Sequence, residues 1–386
     1  MKIKRFLGLA AAAFLAVYGL LMLPRMIKPA KALAEEEIDF ASYVSETEAE
    51  YTSDAIPFHD AWINLNGLYA RLTGRTSYNN TRLLKHGMLS WYLWPVDTTA
   101  LAASTGQLYD FCAQEGIDFL YVQLPYKMDL NNELLPDSMT DYGNQNINEL
   151  LEHLEETGVP YMDQRQRFAK TPEDIEQYFY RTDHHWNYQA AFGTFQDIVY
   201  RLNELNPDYM APEDRISLEN WETHELHRWF LGTHGKRVGA WYGGVDDMVY
   251  YTPRFDNDCS MTIPKHELTY EGSFEEAFLR EEYTRETDWF KSNPYMMYVG
   301  GDYPLVLERN ALAPCDKKIL ILEDSYSLPV QAFLSTVYTQ IDVIDPRYFE
   351  ESIAAYIQET KPDVVLLMMN PTAFPEPQYR DWKFPQ

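Results

Sequence analysis

The C-terminal third of the chain alternates short, continuously apolar runs with helical stretches, and this alternation constrains the fold more than any other feature. Residues 318–322 (Lys-Ile-Leu-Ile-Leu), 341–344 (Ile-Asp-Val-Ile) and 364–369 (Val-Val-Leu-Leu-Met-Met) have the length and content of strands. A strand that is apolar on successive residues, not on alternate ones, has to be covered on both faces. The intervening stretches, predicted as helices over 328–338 and 349–360, supply that cover. Strand–helix–strand repetition of this kind implies a parallel sheet with right-handed crossovers. The same grammar appears upstream. A helix over 99–115 runs through Gly116 into a strand at 118–124, which Pro125 ends. A helix over 146–157 precedes a short strand at 158–163. Thr171 and Pro172 have the N-cap and first-turn identities that open a helix, and a further helix is predicted over 188–205. The expected class is α/β, with a parallel sheet flanked by helices.

Residues 206–300 break the pattern. They lack strong parallel-strand runs and are rich in Trp, Tyr, Gly and charge, so an irregular, partly β insertion that shapes access to a site is expected there. At the other end, Lys2, Lys4 and Arg5 precede an uncharged apolar run from Phe6 to Leu23, and Ala32–Leu33–Ala34 stands before three glutamates. Residues 1–34 are therefore expected to be a signal anchor or a cleaved signal peptide. Residues 35–55 read as an acidic linker, 56–375 as the globular domain and 376–386 as a C-terminal tail. The expected setting is extracytoplasmic, held at a membrane by the N-terminal segment or secreted after its cleavage.

Charge narrows the partners. Lys plus Arg number 32 against 59 Asp plus Glu, a formal net charge of -27. Such a chain repels nucleic acid and anionic membrane surfaces. Three widely spaced cysteines, Cys112, Cys259 and Cys315, form neither a disulfide framework nor a CxxC pair and read as buried thiols.

Two stretches carry the candidate chemistry. Asp183–His184–His185–Trp186 places an acid beside two imidazoles, and a carboxylate next to a histidine can fix its tautomer and stabilise its cation. Glu323–Asp324–Ser325–Tyr326–Ser327 follows an apolar strand directly. The carboxyl ends of parallel strands are where open α/β sheets bind ligands. Ser325 is either a nucleophile there or, with Ser327, a helix cap. Asp183 and His185, two residues apart, are either a base with its orienting acid or a satisfied structural pair. His224–Glu225–Leu226–His227, with His234, is the other histidine-rich stretch. Its spacing is one residue short of the HExxH pattern, so no metal is expected. No cofactor is expected either. Asp246–Asp247 and Asp256–Asn257–Asp258 read as solvated turns.

Taken together, several segments resemble the DHHW proteins, relatives of alginate O-acetylation proteins in the SGNH hydrolase-like superfamily. They are Pro57–Phe58–His59–Asp60–Ala61–Trp62–Ile63, Gln123–Leu124–Pro125–Tyr126–Lys127, Asp183–His184–His185–Trp186, Gly300–Gly301–Asp302–Tyr303, Glu323–Asp324–Ser325–Tyr326 and Asp345–Pro346–Arg347–Tyr348–Phe349. They occur in the family's order across residues 55–375. The resemblance implies a flavodoxin-like sheet carrying a Ser-His-Asp triad, with Ser325 as nucleophile, His185 as general base and Asp183 as its orienting carboxylate. It further implies Asn370 as a side-chain oxyanion donor, and Arg347 and Lys127 as substrate contacts. Trp186 is expected to wall the pocket and His184 to pack behind it. One position departs from the family pattern: Glu323 stands where a glycine is usual.

The implied activity is acetyl transfer to, or ester hydrolysis on, a cell-surface or secreted polysaccharide. A multi-pass membrane acyltransferase would be the source of acetyl groups. The alternative is a non-catalytic glycan-binding or assembly protein that keeps the same shape.

Overall fold

A computed structural model describes residues 12–21, 23 and 57–384. The expected acidic linker at 35–55 and most of the expected N-terminal anchor or signal segment lie outside the described residues. Among those residues, no helix is long and apolar enough to cross a membrane.

Helix α1 (His59–Leu72) leads into a small antiparallel sheet of β1 (Ser77–Tyr78), β2 (Thr81–Leu83) and β3 (Leu89–Ser90). Helix α2 (Thr99–Glu115) then precedes β4 (Asp118–Gln123), and α3 (Gly143–Glu156) precedes β5 (Tyr161–Asp163). Helices α4 (Pro172–Tyr178) and α5 (Tyr188–Leu205) bracket the Asp-His-His-Trp stretch. Strands β6 (Trp221–Phe230) and β7 (Asp246–Pro253) pair with each other, and their connection holds α6 (Thr233–Val238). After β8 (Cys259–Ile263), β9 (Leu268–Gly272) and β10 (Leu305–Asn310), the chain closes with β11 (Cys315–Leu322), α7 (Leu328–Leu334), β12 (Tyr338–Ile344), α8 (Ile353–Thr360) and β13 (Val364–Met369).

Eight strands form the main sheet in the order β5-β4-β13-β11-β12-β10-β8-β9. The first five pair in parallel. The last three add on antiparallel. Every residue of β13 is buried, as its unbroken apolar run requires. Its alternate side chains feed two cores. Val364, Leu366 and Met368 join Phe192, Phe195 and Phe333 beneath α5 and α7. Val365, Leu367 and Met369 join Leu108, Leu150 and Ile357 beneath α2, α3 and α8.

Two details differ from the sequence expectation. Helix α7 stops at Leu334, short of 338, because Ser335 and Thr336 turn their hydroxyls back onto the carbonyls of Ala332 and Phe333, both at 2.7 Å. Tyr338 is thereby free to start β12 opposite Cys315. The 206–300 stretch is also more ordered than its composition suggests: β8 and β9 extend the main sheet, and β6 and β7 form a hairpin of their own. The last described residues pack inward, with Tyr379 and Trp382 buried and the Trp382 indole donating to the Ser104 carbonyl at 2.8 Å. All three cysteines are buried and unpaired, and burial pushes the Cys112 and Cys259 thiols up to about 12.

Candidate active site

The parallel strands deliver their polar followers to one edge. Lys127 lies beyond β4, Ser325 beyond β11, Arg347 beyond β12 and Asn370 beyond β13. Ser325 opens a single 3-10 turn, Ser325–Ser327, whose cap is Asp324. The Asp324 carboxylate accepts the Tyr326 N–H at 3.0 Å and the Asn370 N–H at 2.7 Å, so it ties the corner of β11 to that of β13. Burial raises Asp324 to about 6, against the pull of the Asn370 N–H and the Arg347 charge.

Asp183, His185 and Ser325 meet across 140 residues of chain. Ser325 Oγ lies 2.8 Å from His185 Nε2, and His185 Nδ1 lies 2.6 Å from Asp183 Oδ1. A carboxylate facing Nδ1 fixes the proton on that nitrogen, which leaves Nε2 as the acceptor for the serine hydroxyl. Asp183 and His185 converge within a turn. Asp183 Oδ1 also accepts the backbone N–H of His185 at 3.0 Å, so the acid folds the chain into a turn around itself. Its second oxygen accepts the Thr233 N–H at 2.6 Å. That approach depends on Gly232, where a Cβ would stand 2.2 Å from Asp183 Cβ. Burial opposes ionisation of Asp183, but His184, His185 and the Thr233 N–H outweigh it and hold the carboxyl well below its ordinary range. The Tyr295 ring stacks on the imidazole of His185, with centroids 3.7 Å apart and planes 11° apart.

The two neighbours of His185 exchange their expected places. Trp186 is fully buried and does not wall the pocket. The bridge between Phe179 and Trp186 turns it into the core, where its indole N–H donates to the Tyr326 carbonyl at 3.0 Å. His184 lines the pocket instead, its ring 4.8 Å from that of Trp91. Burial, followed by the neighbouring His185, lowers His184 to about 3, so it is a neutral ring at physiological pH. The pocket is a cavity of about 680 Å³ bordered by Ser325, Trp91, Trp94, Arg82, Arg237 and Arg347, among others. The Ser325 N–H has no hydrogen-bond partner among the described residues.

The other predicted site residues are placed as follows. Arg347 borders the cavity, but its guanidinium is held by Asp345, with Nε at 2.9 Å and Nη2 at 2.6 Å, and it stands 3.4 Å from Asp302. Asn370 is fully buried and does not line the cavity. Its side chain donates to the Pro125 carbonyl at 2.8 Å and accepts the Thr372 N–H, so it caps a turn and is not aimed at an oxyanion. Lys127 is likewise absent from the cavity wall: at 1% exposure, its ammonium is buried beneath the Asp183 turn. Glu323 does not line the cavity. It is buried, receives both its contacts from Gln331 Nε2 at 3.2 and 3.3 Å, and burial together with neighbouring carboxylates raises it well above the usual range. Asp246 is no solvated turn residue, since its carboxylate accepts from Arg181 and Thr182.

Asp183, His184 and His185 are close enough to share a cation, and no other such group occurs among the described residues. Both ring nitrogens of His185 already face partners, so a cation would have to break that relay. His224 instead contacts Thr252 from β6.

Residues 97–231 match the family model described as SGNH hydrolase-like domain, acetyltransferase AlgX. Over those residues the chain is similar to an SGNH hydrolase-like domain. The matched residues include Asp183 and His185 and end before Ser325. Among solved structures, PatB1 of Bacillus cereus is 20% identical, with a TM-score of 0.65 over 78% of this chain and 99% of that one. PatB1 with a sulfonyl adduct gives the same identity and score over 79% and 99%. A DHHW family protein from Eubacterium siraeum DSM 15702 is 18% identical, with a TM-score of 0.57 over 80% and 98%. At these identities the likeness is one of fold: a large, mostly parallel sheet between helices. No curated protein matches the chain.

Trp91, Trp94, Thr233, Tyr295 and Arg237 were not singled out by sequence reasoning. Gly232 is one of several glycines in the 206–300 stretch, and nothing in its type sets it apart. A glycine directly ahead of a short helix, in a stretch rich in aromatic residues, was the one available sign that backbone had to approach something closely.

Proposed function

We propose that the protein is an extracytoplasmic serine acyl-transfer enzyme that moves acetyl groups onto, or removes them from, a cell-surface or secreted polysaccharide. The observation that carries this reading is the relay Ser325 Oγ–His185 Nε2, His185 Nδ1–Asp183 Oδ1, at 2.8 and 2.6 Å. The family match to an SGNH hydrolase-like acetyltransferase domain supports it.

In this reading, Ser325 Oγ attacks the acyl carbonyl carbon as His185 Nε2 takes its proton. The carbonyl oxygen becomes an oxyanion, and the Ser325 N–H lies on the nucleophile itself to stabilise it. Collapse breaks the bond to the donor's oxygen, which leaves with the proton from His185. The acyl-Ser325 intermediate is then attacked by an acceptor hydroxyl, whose proton passes to His185. The new ester departs and Ser325 Oγ recovers its proton. Asp183 stays ionised throughout and stabilises the imidazolium. A sugar acceptor makes the enzyme a transferase and water makes it an esterase. The apolar N-terminal run supports an extracytoplasmic setting, and a multi-pass membrane acyltransferase is the proposed acetyl donor.

The exposed Trp94, 71% accessible at the cavity rim, would serve equally in a glycan-binding protein without catalysis. One assay separates the two. Ser325→Ala is expected to abolish acetate release from a chromogenic acetate ester by at least about 10³-fold while leaving glycan binding intact. Full retention of esterase activity in that variant would sink the triad assignment, and absence of activity in the parent protein on every acetyl donor would favour the binding reading.

A further inference from the structure

The turn that carries the triad acid is gripped by two opposite charges. Lys127 Nζ donates to three backbone carbonyls: Leu89 at 2.8 Å, Arg181 at 3.2 Å and Asp183 in a short contact. An ammonium has three N–H groups, so none is left over for a substrate. From the other side, Asp246 Oδ1 accepts the Arg181 N–H at 2.8 Å, and Oδ2 accepts the Thr182 N–H at 2.8 Å and the Thr182 hydroxyl at 2.5 Å. The peptide unit joining Arg181 to Thr182 therefore lies between a cation on its C=O and an anion on its N–H. Its dipole is aligned with both. The next carbonyl, that of Thr182, accepts the Gly235 N–H at 2.8 Å, and the one after, that of Asp183, returns to Lys127. Asp183 is thus fixed through the peptides on both of its sides.

We propose that Lys127 and Asp246 are positioning residues, a charged clamp across the Arg181–Asp183 turn that aims the Asp183 carboxylate at His185. The proposal rests on the triad reading above. Lys127 touches neither the cavity nor the reacting atoms, and it acts through the backbone of the acid. The two charges are not in direct contact, so neither can be exchanged for an apolar residue without orphaning backbone groups of the turn. Burial lowers the Lys127 ammonium to about 7, while Asp183 and Asp246 draw it back up.

The test uses the full chain with Lys127→Met, Asp246→Asn and the double variant. One readout is steady-state hydrolysis of a chromogenic acetate ester. The other is the downfield proton resonance of His185 Nδ1–H, assigned by its loss in His185→Gln and recorded also in Ser325→Ala protein. The clamp predicts that each single variant lowers kcat at least tenfold with KM within twofold. It predicts that the resonance weakens or disappears in each, in the Ser325→Ala background too. The double variant should lose less than the product of the single losses. If Lys127→Met does not fold, Asp246→Asn alone decides. Folded variants that keep both kcat and the resonance, and lose only thermal stability, overturn the proposal. Retained activity in Ser325→Ala with a resonance still sensitive to Lys127 would instead overturn the triad reading and leave the clamp standing.

Discussion

Asp183 and Glu308 are carboxyls of nearly equal seclusion, at 1% and 0% exposure, and their surroundings drive them in opposite directions. Asp183 receives the His185 N–H, the His185 ring and the Thr233 N–H, and is held well below the usual carboxylate range. Glu308, in the middle of β10, has neither oxygen hydrogen-bonded among the described residues, and burial raises it to about 8. Burial is common to both, so burial alone does not decide the charge state. The neighbouring His184 and His185, together with donors aimed at the oxygens, do. One carboxyl is equipped to stay ionised beside an imidazole; the other is neutral filler between strands at physiological pH.

The sharpest way to break the comparison is to remove the charge that the first site maintains. Asp183→Asn keeps the shape but offers an amide where a carboxylate fixed the tautomer. We expect kcat on an acetate ester to fall on the order of 10³–10⁴-fold with the fold retained, checked by kinetics alongside circular dichroism. A loss of less than tenfold would mean that the carboxylate is not orienting the base.

The second perturbation acts on Glu308. Its folded pKa lies above its unfolded value near 4.5, so the folded state binds the proton more tightly. Below the unfolded pKa both states are protonated and no penalty exists. As pH rises toward 8, the unfolded carboxyl ionises freely while the buried one does not, and stability falls across that window. Glu308→Gln should therefore match the parent protein near pH 4 and exceed it by on the order of 4 kcal/mol at pH 8, read by denaturant titration at several pH values. A constant difference at all pH values would contradict this account.

The smallest effect tests a single donor. Thr233 is the first residue of α6 and follows Gly232 in an extended conformation, a position where proline is tolerated. With Thr233→Ala as the control that keeps the N–H, Thr233→Pro deletes the N–H that Asp183 Oδ2 accepts and sets a ring carbon in its place. We expect roughly a tenfold loss in kcat, with stability changed by no more than about 1 kcal/mol. An unchanged kcat would show that the His185 contacts alone suffice to hold the acid.

The sheet was legible because a doubly covered strand cannot hide: β13 and the core of β11 announce themselves as unbroken apolar runs. Ser325, His185 and Asp183 were legible because polar residues of these types stand out at strand ends and beside helix starts. The supporting groups were not. Thr233 contributes a backbone N–H, which every residue but proline has, so its type carries no sign of the role. Tyr295 stacks on His185 from a segment 110 residues away, a distance that only tertiary packing closes. Lys127, Asn370 and Trp186 were read as pocket residues because a sequence reports their chemistry without their depth. Each proved to be a polar group satisfied inside the scaffold. The exchange between His184 and Trp186 has the same origin, since neither periodicity nor composition tells which of two adjacent side chains in a tight turn faces the core.

Tyr326 joins the two halves of the site. Its hydroxyl donates to the His184 carbonyl, and its own carbonyl accepts from the Trp186 indole at 3.0 Å and from the Tyr295 hydroxyl at 3.2 Å. Nucleophile turn and base arm are thus laced together by residues immediately next to the reacting ones, across loops of well over a hundred residues. Closing such loops comes late and at high entropic cost during folding. Recovery of esterase turnover after dilution from denaturant should consequently lag behind recovery of helical ellipticity. Catalysis would then serve as a clock for the final long-range docking of the chain.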